Sequence, residues 1–303
     1  MISESLKELI INADCNAFFD EPMSLHTSFR IGGKTDCFCE VNTLESLKKI
    51  IAACRAEGTE YFIIGLGSNL LVSDNGLSGI VIKLGGDFEE ISQEGENRIR
   101  CGAGISLAKL CLFAKNKGLG GAEFAWGIPG SVGGAVYMNA GAYGGEIKDI
   151  VVSSRYLDED GNIRERIGEE HDFSYRHSIY CTRRETILDV TVELTPKSKN
   201  EIFYLMQDTM DKRKKKQPLN RPSAGSVFKR PTGYYAAALI EECGLKGVSV
   251  GDAQVSEKHS GFIVNNGKAS AKDVKELICR VQQVVKEKTG VDLECEVKFV
   301  GEA

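Results

Sequence analysis

The feature that most constrains this chain is a glycine-rich stretch near its middle, residues 127–145, with the sequence GIPGSVGGAVYMNAGAYGG. Seven of these residues are glycine, against 33 in the whole 303-residue chain. Glycine takes positive φ angles freely and lets another backbone or a ligand approach closely. Ile128, Val132 and Met138 stand between the glycines, so the stretch is not a solvated linker. We expect buried, irregular backbone whose N–H groups find acceptors either in a phosphate-bearing ligand or in tight packing within the protein.

A second glycine-rich turn lies in the first quarter of the chain. The short apolar run at 61–64 predicts a buried strand that leads directly into Gly65-Leu-Gly-Ser-Asn69. The two glycines allow close approach to a diphosphate, and Ser68 and Asn69 add hydrogen-bonding groups. An ordinary turn is the alternative, because the segment lacks the Lys-Ser/Thr of a P-loop and the third glycine of a dinucleotide-binding unit.

Length and charge narrow the class of protein. At 303 residues the chain exceeds the usual size of a single core, so we expect two or three domains. The net charge of −5 and the pI of about 5.6 argue against nucleic acid as a partner. No apolar run approaches the roughly 20 residues of a membrane span. The first residues, from Met1 on, lack a signal-peptide pattern, so we expect a cytoplasmic protein.

The ten cysteines form no recognisable framework. No C-x-x-C pair occurs, and most cysteines stand among apolar neighbours, as buried free thiols do in a reducing compartment. The four histidines show neither the H-x-x-x-H nor the H-E-x-x-H spacing of a zinc site. We therefore predict free thiols and no metal.

Hydrophobic periodicity predicts the helices and strands. Helices are expected at 43–57, 106–118, 200–215 and 270–289, and strands at 37–41, 61–64, 79–84, 98–102, 150–157, 186–194 and 261–265. Residues 158–162 are typical of a hairpin turn. The last run, 291–299, alternates apolar and charged residues and predicts a strand whose charged face, including Glu296, meets solvent.

Three polar segments are candidates for a ligand site. Residues 173–178 combine aromatic and polar side chains, and residues 221–231 place Ser226 in an Ala-Gly-Ser turn beside cations. The run Lys212–Lys216 ends a predicted helix. One interpretation is that its cations are solvated and interact favourably with the negative end of the helix dipole. The other is that they face an anionic ligand.

Taken together, these motifs resemble those of the UDP-N-acetylenolpyruvoylglucosamine reductases, flavoenzymes that complete UDP-N-acetylmuramate for peptidoglycan. The resemblance covers nearly the whole chain. The segments that carry it are 29–33 (FRIGG), 65–71 (GLGSNLL), 127–134 (GIPGSVGG), 138–143 (MNAGAY), 175–178 (YRHS), 224–229 (AGSVFK), 259–265 (HSGFIVN) and 296–301 (EVKFVG).

The resemblance implies an α+β fold, in which two domains of the vanillyl-alcohol oxidase (PCMH) type bind FAD and a third α+β domain binds the UDP-sugar. By similarity the FAD domains span 1–86 and 87–217, the second with residues 290–303 returning to it, and the substrate domain spans 218–289. Glu296 would then lie in the flavin cleft and not in solvent. Few residues separate Arg176 from the strand at 186, so the chain resembles the shorter type without an extra tyrosine loop.

The resemblance also implies the cofactors and their contacts. FAD is expected to bind non-covalently, and NADPH to serve as co-substrate for reducing UDP-N-acetylglucosamine enolpyruvate. The residues assigned to FAD are Arg30, Gly65, Gly67, Ser68, Asn69, Leu70, Gly127, Ile128, Pro129, Gly130, Ser131, Gly133, Gly134, Asn139, Gly141 and Ala142. The residues assigned to the UDP-sugar are Tyr175, Lys216, Lys229, Arg230, Gln254 and His259. Lys212–Lys215 are expected to stay solvated.

Three residues are implied to act on the enolpyruvyl group. Its alkene, conjugated to a carboxylate, accepts hydride only if the charge that develops on the carboxylate is stabilised, and the guanidinium of Arg176 suits this role. Glu296 is assigned to the same intermediate, where its carboxyl group must carry or share a proton. Ser226 is assigned as the proton donor to C2, with Lys229 nearby to ease the transfer.

Two positions depart from the family pattern. Arg230 stands where some members have Asn, and Ala237 stands where Gly is frequent.

The nearer alternative function is an FAD oxidase or dehydrogenase of the same flavin fold that acts on another substrate. The other is a nucleotide-binding regulatory protein that is not an enzyme. The motifs around Ser226 and Glu296 argue against the first, and the intact set with Arg176 argues against the second.

Overall fold

The structure of the protein is a computed structural model that describes residues 2–301, so the predicted domain ends at 1 and 303 and the signal-peptide prediction at Met1 lie outside the described residues. The helices within this range are α1 (Glu4–Ile11), α2 (Leu44–Glu57), α3 (Leu107–Lys117), α4 (Val132–Tyr137), α5 (Lys199–Lys216), α6 (Ala236–Glu242) and α7 (Ala271–Thr289). The predicted caps bound α3 and α7. Ser106 and Ser270 accept the N–H of the third following residue, at 3.2 and 3.0 Å. Gly118 and Gly290 end the two helices at positive φ, as predicted.

The strands of the described chain are mostly short. They are β1 (Cys15–Pro22), β2 (Lys34–Val41), β3 (Tyr61–Ile64), β4 (Leu70–Val72), β5 (Leu77–Leu84), β6 (Ile91–Glu94), β7 (Arg98–Gly102), β8 (Leu119–Gly120), β9 (Gly141–Ala142), β10 (Gly145–Glu146), β11 (Val151–Leu157), β12 (Ile163–Ile167), β13 (Thr186–Glu193), β14 (Thr195–Pro196), β15 (Ser249–Val250), β16 (Ala253–Val255), β17 (Ile263–Asn265) and β18 (Lys298–Val300). Most of the predicted strands are confirmed. The sequence does not predict β6 and β12, because their residues are largely exposed and show little apolar alternation.

Two compact units divide the chain. The first comprises the residues up to Phe19, Cys37–Leu66 and Gly79–Lys212, and the second comprises Asp20–Asp36, Gly67–Ser78 and the residues from Arg213 on. Each unit encloses its own cluster of buried apolar side chains, which includes Val192 in the first unit and Val281 in the second. The division into three domains at 86/87 and 217/218 stays a prediction.

The main sheet of the first unit is antiparallel, with the strand order β12-β11-β13-β7-β6. The β11–β12 hairpin turns at Asp158, whose carboxylate accepts the N–H groups of Asp160 (3.0 Å) and Asn162 (2.7 Å). This confirms the predicted turn, although it joins β11 to β12 and not to β13. Ser154 lies in the middle of β11 and is buried.

The second unit contains the three-stranded sheet β15-β16-β17, with α7 packed against it. Its strands β4 and β18 pair in parallel. The prediction of one strand over 291–299 is wrong in extent, because only Lys298–Val300 is a strand. Residues 294–297 instead form isolated main-chain hydrogen bonds with residues 227–229, without the continuous pairing of a strand. Leu293 and Val297 are buried as the alternation predicts, but Phe299 is 43% exposed.

Several sequence expectations concern the chain as a whole. All ten cysteines are free, as predicted, and most are buried. Within residues 2–301, no helix is long and apolar enough to cross a membrane. The same residues contain no group of three or more His, Cys, Asp or Glu side chains arranged to hold a metal ion.

Candidate active site

The two glycine-rich loops meet at Gly65 and Ser131, both in the first unit. A Cβ atom on Gly65 would lie 2.3 Å from the Ser131 Oγ, so a larger residue at this position would collide with the second loop. Gly67 has a φ of 61°, and a Cβ there would lie 2.0 Å from the carbonyl oxygen of His26. Both glycines are therefore required by contacts within the protein. Packing, the alternative that the sequence left open, explains them without a ligand.

Some main-chain N–H groups of these loops have no acceptor in the part of the chain that the structure describes. They include those of Ser68 and Asn69 in the first loop and those of Gly127 and Ser131 in the second. Unbonded N–H groups in turns of this kind bind anions, and phosphate oxygens are suitable acceptors. Each loop therefore offers donors that fit a diphosphate.

The second loop is more regular than the sequence predicts. Helix α4 occupies its middle, and the hydroxyl of Ser131 caps the helix by accepting the N–H of Gly134 at 3.2 Å. The N–H groups that already bond within the protein are those of Ile128, Gly130, Val132, Gly133 and Gly134. Pro129 has no N–H to offer. The expectation of irregular backbone throughout 127–145 is wrong, because a serine cap and neighbouring carbonyl oxygens allow a helical turn to form.

Arg176 lies at the tip of a tight loop in the first unit. Ser174 and His177 exchange two N–H to carbonyl hydrogen bonds of 3.1 Å each, which leaves Tyr175 and Arg176 as the tip residues. Arg176 has a left-handed φ of 57°, and its guanidinium lies 5.0 Å from the ring centroid of Tyr175. Its Nη2 donates to the carbonyl oxygen of Gly141 at 3.2 Å. The guanidinium is thus held against the 138–143 motif, while Tyr175 is exposed.

The side chain of Asn139 is used within the protein. Its Nδ2 donates to the carboxylate of Glu146 and to the carbonyl oxygen of Ser174, both at 2.9 Å, and its Oδ1 accepts the N–H of Lys148 at 3.0 Å. Asn139 is fully buried. It therefore ties the Arg176 loop to the segment that follows α4. Its assignment to FAD stays a prediction, for which neither hydrogen of the side-chain amide is available.

Ser226 and Glu296 lie on neighbouring segments of the second unit. The N–H of Val227 donates to Gly261 at 2.9 Å, and the N–H of Glu296 donates to the carbonyl oxygen of Val227 at 2.7 Å. The carbonyl oxygen of Glu296 accepts from Asn69 Nδ2 at 3.1 Å. Main-chain bonds therefore bring these two predicted catalytic residues close together, each half-buried.

The cations that follow Ser226 have partners in the protein. The ammonium of Lys229 pairs with the carboxylate of Glu294. The guanidinium of Arg230 lies 4.0 Å from the ring centroid of Tyr235, and its Nε donates to the carbonyl oxygen of Tyr234 at 3.3 Å. A substrate phosphate at Lys229 would therefore compete with Glu294, and Arg230 presents a stacked guanidinium.

The basic run at the end of α5 is not uniformly solvated. Its four lysines are exposed, but Arg213 is only 8% exposed. The prediction of solvated side chains over Lys212–Lys215 is therefore wrong at Arg213. Helical periodicity is the reason, because Arg213 follows the buried residues Ile202, Met206 and Thr209 at spacings of three and four on one face of α5.

His259 and Gln254 both form bonds inside the second unit. The Nδ1 of His259 accepts the N–H of Gly261 at 3.2 Å. Burial lowers the pKa of His259, and the ammonium groups of Lys246 and Lys216 lower it further. Gln254 donates to Gly247 at 3.0 Å and accepts from Asn266 at 3.2 Å.

The remaining residues assigned to FAD occupy turns and strand ends. Arg30 has a φ of 57° and an exposed side chain. Gly141 and Ala142 form β9, which pairs with β10, and Leu70 begins β4. Their contact with a cofactor stays a prediction.

Sequence reasoning missed a buried polar cluster beside the Arg176 loop. The Oγ of Ser154 lies 2.8 Å from His171 Nε2 and 2.7 Å from the Tyr180 hydroxyl. Arg166 pairs with Glu185 at 2.7 Å and lies 4.8 Å from the ring centroid of Tyr180. Burial lowers the pKa of His171 and raises that of Tyr180. The only sequence signal is a pair of serines in the middle of strand β11.

Two family models match the chain. Residues 35–166 match an FAD binding domain, and residues 217–300 match the C-terminal domain of UDP-N-acetylenolpyruvoylglucosamine reductase. The predicted α+β class, with a flavin-binding part and a C-terminal domain, is confirmed.

Relatives match over nearly the full length. The UDP-N-acetylenolpyruvoylglucosamine reductase of Agathobacter rectalis is 49% identical over 294 residues, 93% of each chain. The reductase of Caldanaerobacter subterraneus is 46% identical over 302 residues, which cover 100% of this chain and 99% of the relative. The crystal structure of UDP-N-acetylenolpyruvylglucosamine reductase from Thermus caldophilus has a TM-score of 0.81 at 38% identity, covering 95% of this chain and 99% of that one.

Proposed function

The chain belongs to the UDP-N-acetylenolpyruvoylglucosamine reductase family, and we propose that it is an NADPH-dependent reductase that uses FAD to convert UDP-N-acetylglucosamine enolpyruvate into UDP-N-acetylmuramate. The product is a precursor of peptidoglycan, and we place the reaction in the cytoplasm. Its partners are small molecules, and the reaction needs neither nucleic acid nor insertion into a membrane.

FAD is supported by the domain match and by the unbonded N–H groups of the two glycine-rich loops. We assign its diphosphate to the donors of Ser68, Asn69, Gly127 and Ser131. Neither loop contains a His or Cys that could bond covalently to the flavin, so binding is non-covalent. Bound FAD supplies the hydride chemistry between NADPH and C3 of the enolpyruvyl group, and the residues of the chain position and polarise the substrate.

Arg176 is assigned to the substrate carboxylate. Addition of hydride to C3 moves negative charge onto that carboxylate, and a preorganised cation lowers the barrier by stabilising it. The planar guanidinium matches a carboxylate with two parallel donors. Its contacts with Gly141 and Tyr175 hold the plane of the group before the substrate arrives.

Ser226 and Glu296 are assigned to protonation at C2. The observation that carries the proposal is the hydrogen bond from the Glu296 N–H to Val227, which sets the residue after Ser226 against Glu296. A serine hydroxyl is a weak acid, so it donates to a strongly basic enolate, and the ammonium of Lys229 favours the transfer. The Glu296 carboxyl group assists this intermediate only when it carries or shares a proton.

The UDP-sugar is assigned to six side chains that are exposed or half-buried. Lys216, an exposed lysine at the end of α5, is assigned to the diphosphate, with Arg230 as a further cation. Tyr175 next to Arg176, and Gln254 and His259 in the second unit, are also assigned to the UDP-sugar. Lys229 is shared between Glu294 and the substrate.

The test is turnover with the defined substrate. The purified protein should be yellow, release FAD on heat denaturation, and oxidise NADPH only when UDP-N-acetylglucosamine enolpyruvate is present. Flavin that stays with the denatured protein on gel filtration would contradict non-covalent binding. Oxidation of an alcohol or other unrelated donor in its place would favour the oxidase alternative, and absence of flavin would favour the regulatory one.

A further inference from the structure

Arg176 has a backbone conformation that needs support. A residue other than glycine rarely has positive φ, and it keeps that conformation only where the surrounding structure holds it. The φ of Arg176 is 57°, and Asp172 at the start of the same loop has a φ of 48°. The source of this support decides where the guanidinium stands.

The loop that carries Arg176 comprises residues 172–179. One hydroxyl group joins its two ends. Ser154 Oγ lies 2.8 Å from the ring of His171, which precedes the loop, and 2.7 Å from the hydroxyl of Tyr180, which follows it. None of the three side chains is more than 1% exposed. Phe173, at the start of the loop, stacks on the His171 ring with centroids 4.9 Å apart and planes within 2°. A single side chain on β11 thus connects residues on either side of Arg176.

The hydrogen bonds of this cluster have one consistent direction. The Nδ1 of His171 lies 2.9 Å from the carbonyl oxygen of Gly168, which accepts only, so Nδ1 carries the proton. Nε2 is then an acceptor and takes the hydroxyl hydrogen of Ser154. The Ser154 oxygen in turn accepts from Tyr180. Every group in this chain of hydrogen bonds has a partner only while His171 is neutral. Because each member bonds to the next, removing any one of them leaves a buried polar atom unpaired.

We propose that Ser154, His171 and Tyr180 form a clasp that positions Arg176 for the carboxylate of the enolpyruvyl substrate. The inference rests on the proposed function, because it takes Arg176 to act on that carboxylate. The three residues are positioning residues, since they are buried and act through the loop and not on the substrate. Asn139 supports the loop from another side through its bond to Ser174.

The test is a double-mutant cycle between the clasp and Arg176. Ser154→Ala is made alone and together with Arg176→Ala, and each enzyme is reduced with NADPH and mixed with UDP-N-acetylglucosamine enolpyruvate in a stopped-flow instrument. We expect Ser154→Ala alone to slow flavin reoxidation by about 10- to 100-fold, the size expected for a misplaced catalytic group. In the Arg176→Ala background the same substitution should cost less than about 2-fold, because no guanidinium is left to misplace.

Two further variants keep the result interpretable. Tyr180→Phe removes one bond of the clasp with little change in volume and should show the same coupling to Arg176. Val192→Ala lowers the stability of the same sheet away from the loop, and its effect should be equal in both backgrounds.

The outcomes separate the clasp from the proposed function. Equal losses for Ser154→Ala in the two backgrounds would overturn the clasp, while a slow Arg176→Ala enzyme would still uphold the role of Arg176. Native reoxidation in Arg176→Ala itself would overturn that role and the inference with it.

Discussion

The loop that carries Arg176 and the segments that carry Ser226 and Glu296 are held in place mainly by different kinds of bond. In the first unit, main-chain bonds between Ser174 and His177 close only the tip of the loop, and side chains fix the rest, with Ser154 joining its two ends and Asn139 bonding to Ser174. In the second unit, the segments bond mainly through the main chain, from Val227 to Gly261 and from Glu296 to Val227, and one side-chain bond joins Asn69 to the carbonyl oxygen of Glu296.

This difference predicts different sensitivity to substitution. Main-chain N–H and C=O groups persist whatever side chain is present, so the Ser226 segment should tolerate changes among its neighbours. A loop held by side chains loses its geometry when one of them is removed. Such loops should therefore depend on residues that never touch the substrate.

The largest expected effects test whether the two regions serve one chemical step. Arg176→Ala, Ser226→Ala and Glu296→Gln should each slow reoxidation of the flavin by enolpyruvyl substrate by about 10²–10⁴, while reduction by NADPH stays near native. Stopped-flow absorbance of the flavin measures the two half-reactions separately. Two substitutions together should cost much less than the product of the single losses. A Ser226→Ala enzyme impaired only with NADPH, or unimpaired, would leave Ser226 as a turn residue.

A matched pair of buried asparagines sharpens the comparison. Asn139 makes three side-chain hydrogen bonds in the first unit. Asn265 also makes three in the second, to Phe29, Gly267 and Ala269. Each Asn→Ala substitution should lower the free energy of unfolding by about 2–4 kcal/mol, measured by calorimetry.

Only the Asn139 variant should also slow flavin reoxidation, by about 10-fold, because only Asn139 supports the Arg176 loop. Asn265→Ala is the control, with an expected change of less than about 3-fold. Equal slowing in both variants would mean that lost stability, and not lost position, accounts for the effect.

Lys216 tests a proposed substrate contact made by an exposed side chain, which belongs to neither of the two regions compared above. Lys216→Ala should raise the KM for the UDP-sugar about 10-fold or more, the scale of one hydrogen bond to a charged group, and leave the KM for NADPH unchanged. Lys215→Ala is the matched control, since Lys215 is a neighbouring exposed lysine of the same helix. Equal changes in both KM values, or none, would make Lys216 a solvated side chain.

The smallest expected effect is a pH dependence of stability from the clasp. Burial lowers the pKa of His171 below its ordinary 6.5, and Arg166 on β12 lowers it further, while the bond to Gly168 and the carboxylate of Glu170 oppose the shift. The unfolded chain therefore takes up this proton at higher pH than the folded one. Stability present above about pH 6.5 should be lost as the pH falls through the folded pKa of His171.

Thermal unfolding between neutral and mildly acidic pH measures this loss. His171→Gln should flatten part of the pH dependence. His259→Gln should flatten a separate part, because burial also lowers the pKa of His259. An unchanged slope in His171→Gln would show that the ring does not titrate between the two states.

The features that the sequence predicts well depend on residues that are close together in the chain. Helix α7 is bounded by Ser270 and Gly290 as expected, and its apolar stripe, including Val274 and Val281, is buried. The Asp158 turn is likewise local, because its bonds span no more than four residues. The individual roles of Arg176, Ser226 and Glu296 came from resemblance and stay predictions.

What the sequence does not predict depends on contacts between distant residues. Ser154 bonds to residues 17 and 26 positions away, and nothing in the periodicity of β11 indicates those partners. Arg213 looks like part of a solvated basic run until the buried face of α5 is known. The alternation of 291–299 predicts burial at Leu293 and Val297 correctly, but it cannot show that single bonds to 227–229 replace a strand.

The central claim is that electrons pass from NADPH through bound flavin to the enolpyruvyl group, and a single-turnover experiment tests it most directly. The purified protein is reduced anaerobically with one equivalent of NADPH and then mixed with UDP-N-acetylglucosamine enolpyruvate. The account predicts that the flavin absorbance returns and that one UDP-N-acetylmuramate forms for each flavin reoxidised. Flavin that stays reduced until oxygen is admitted, with the enolpyruvyl substrate recovered unchanged, would contradict it.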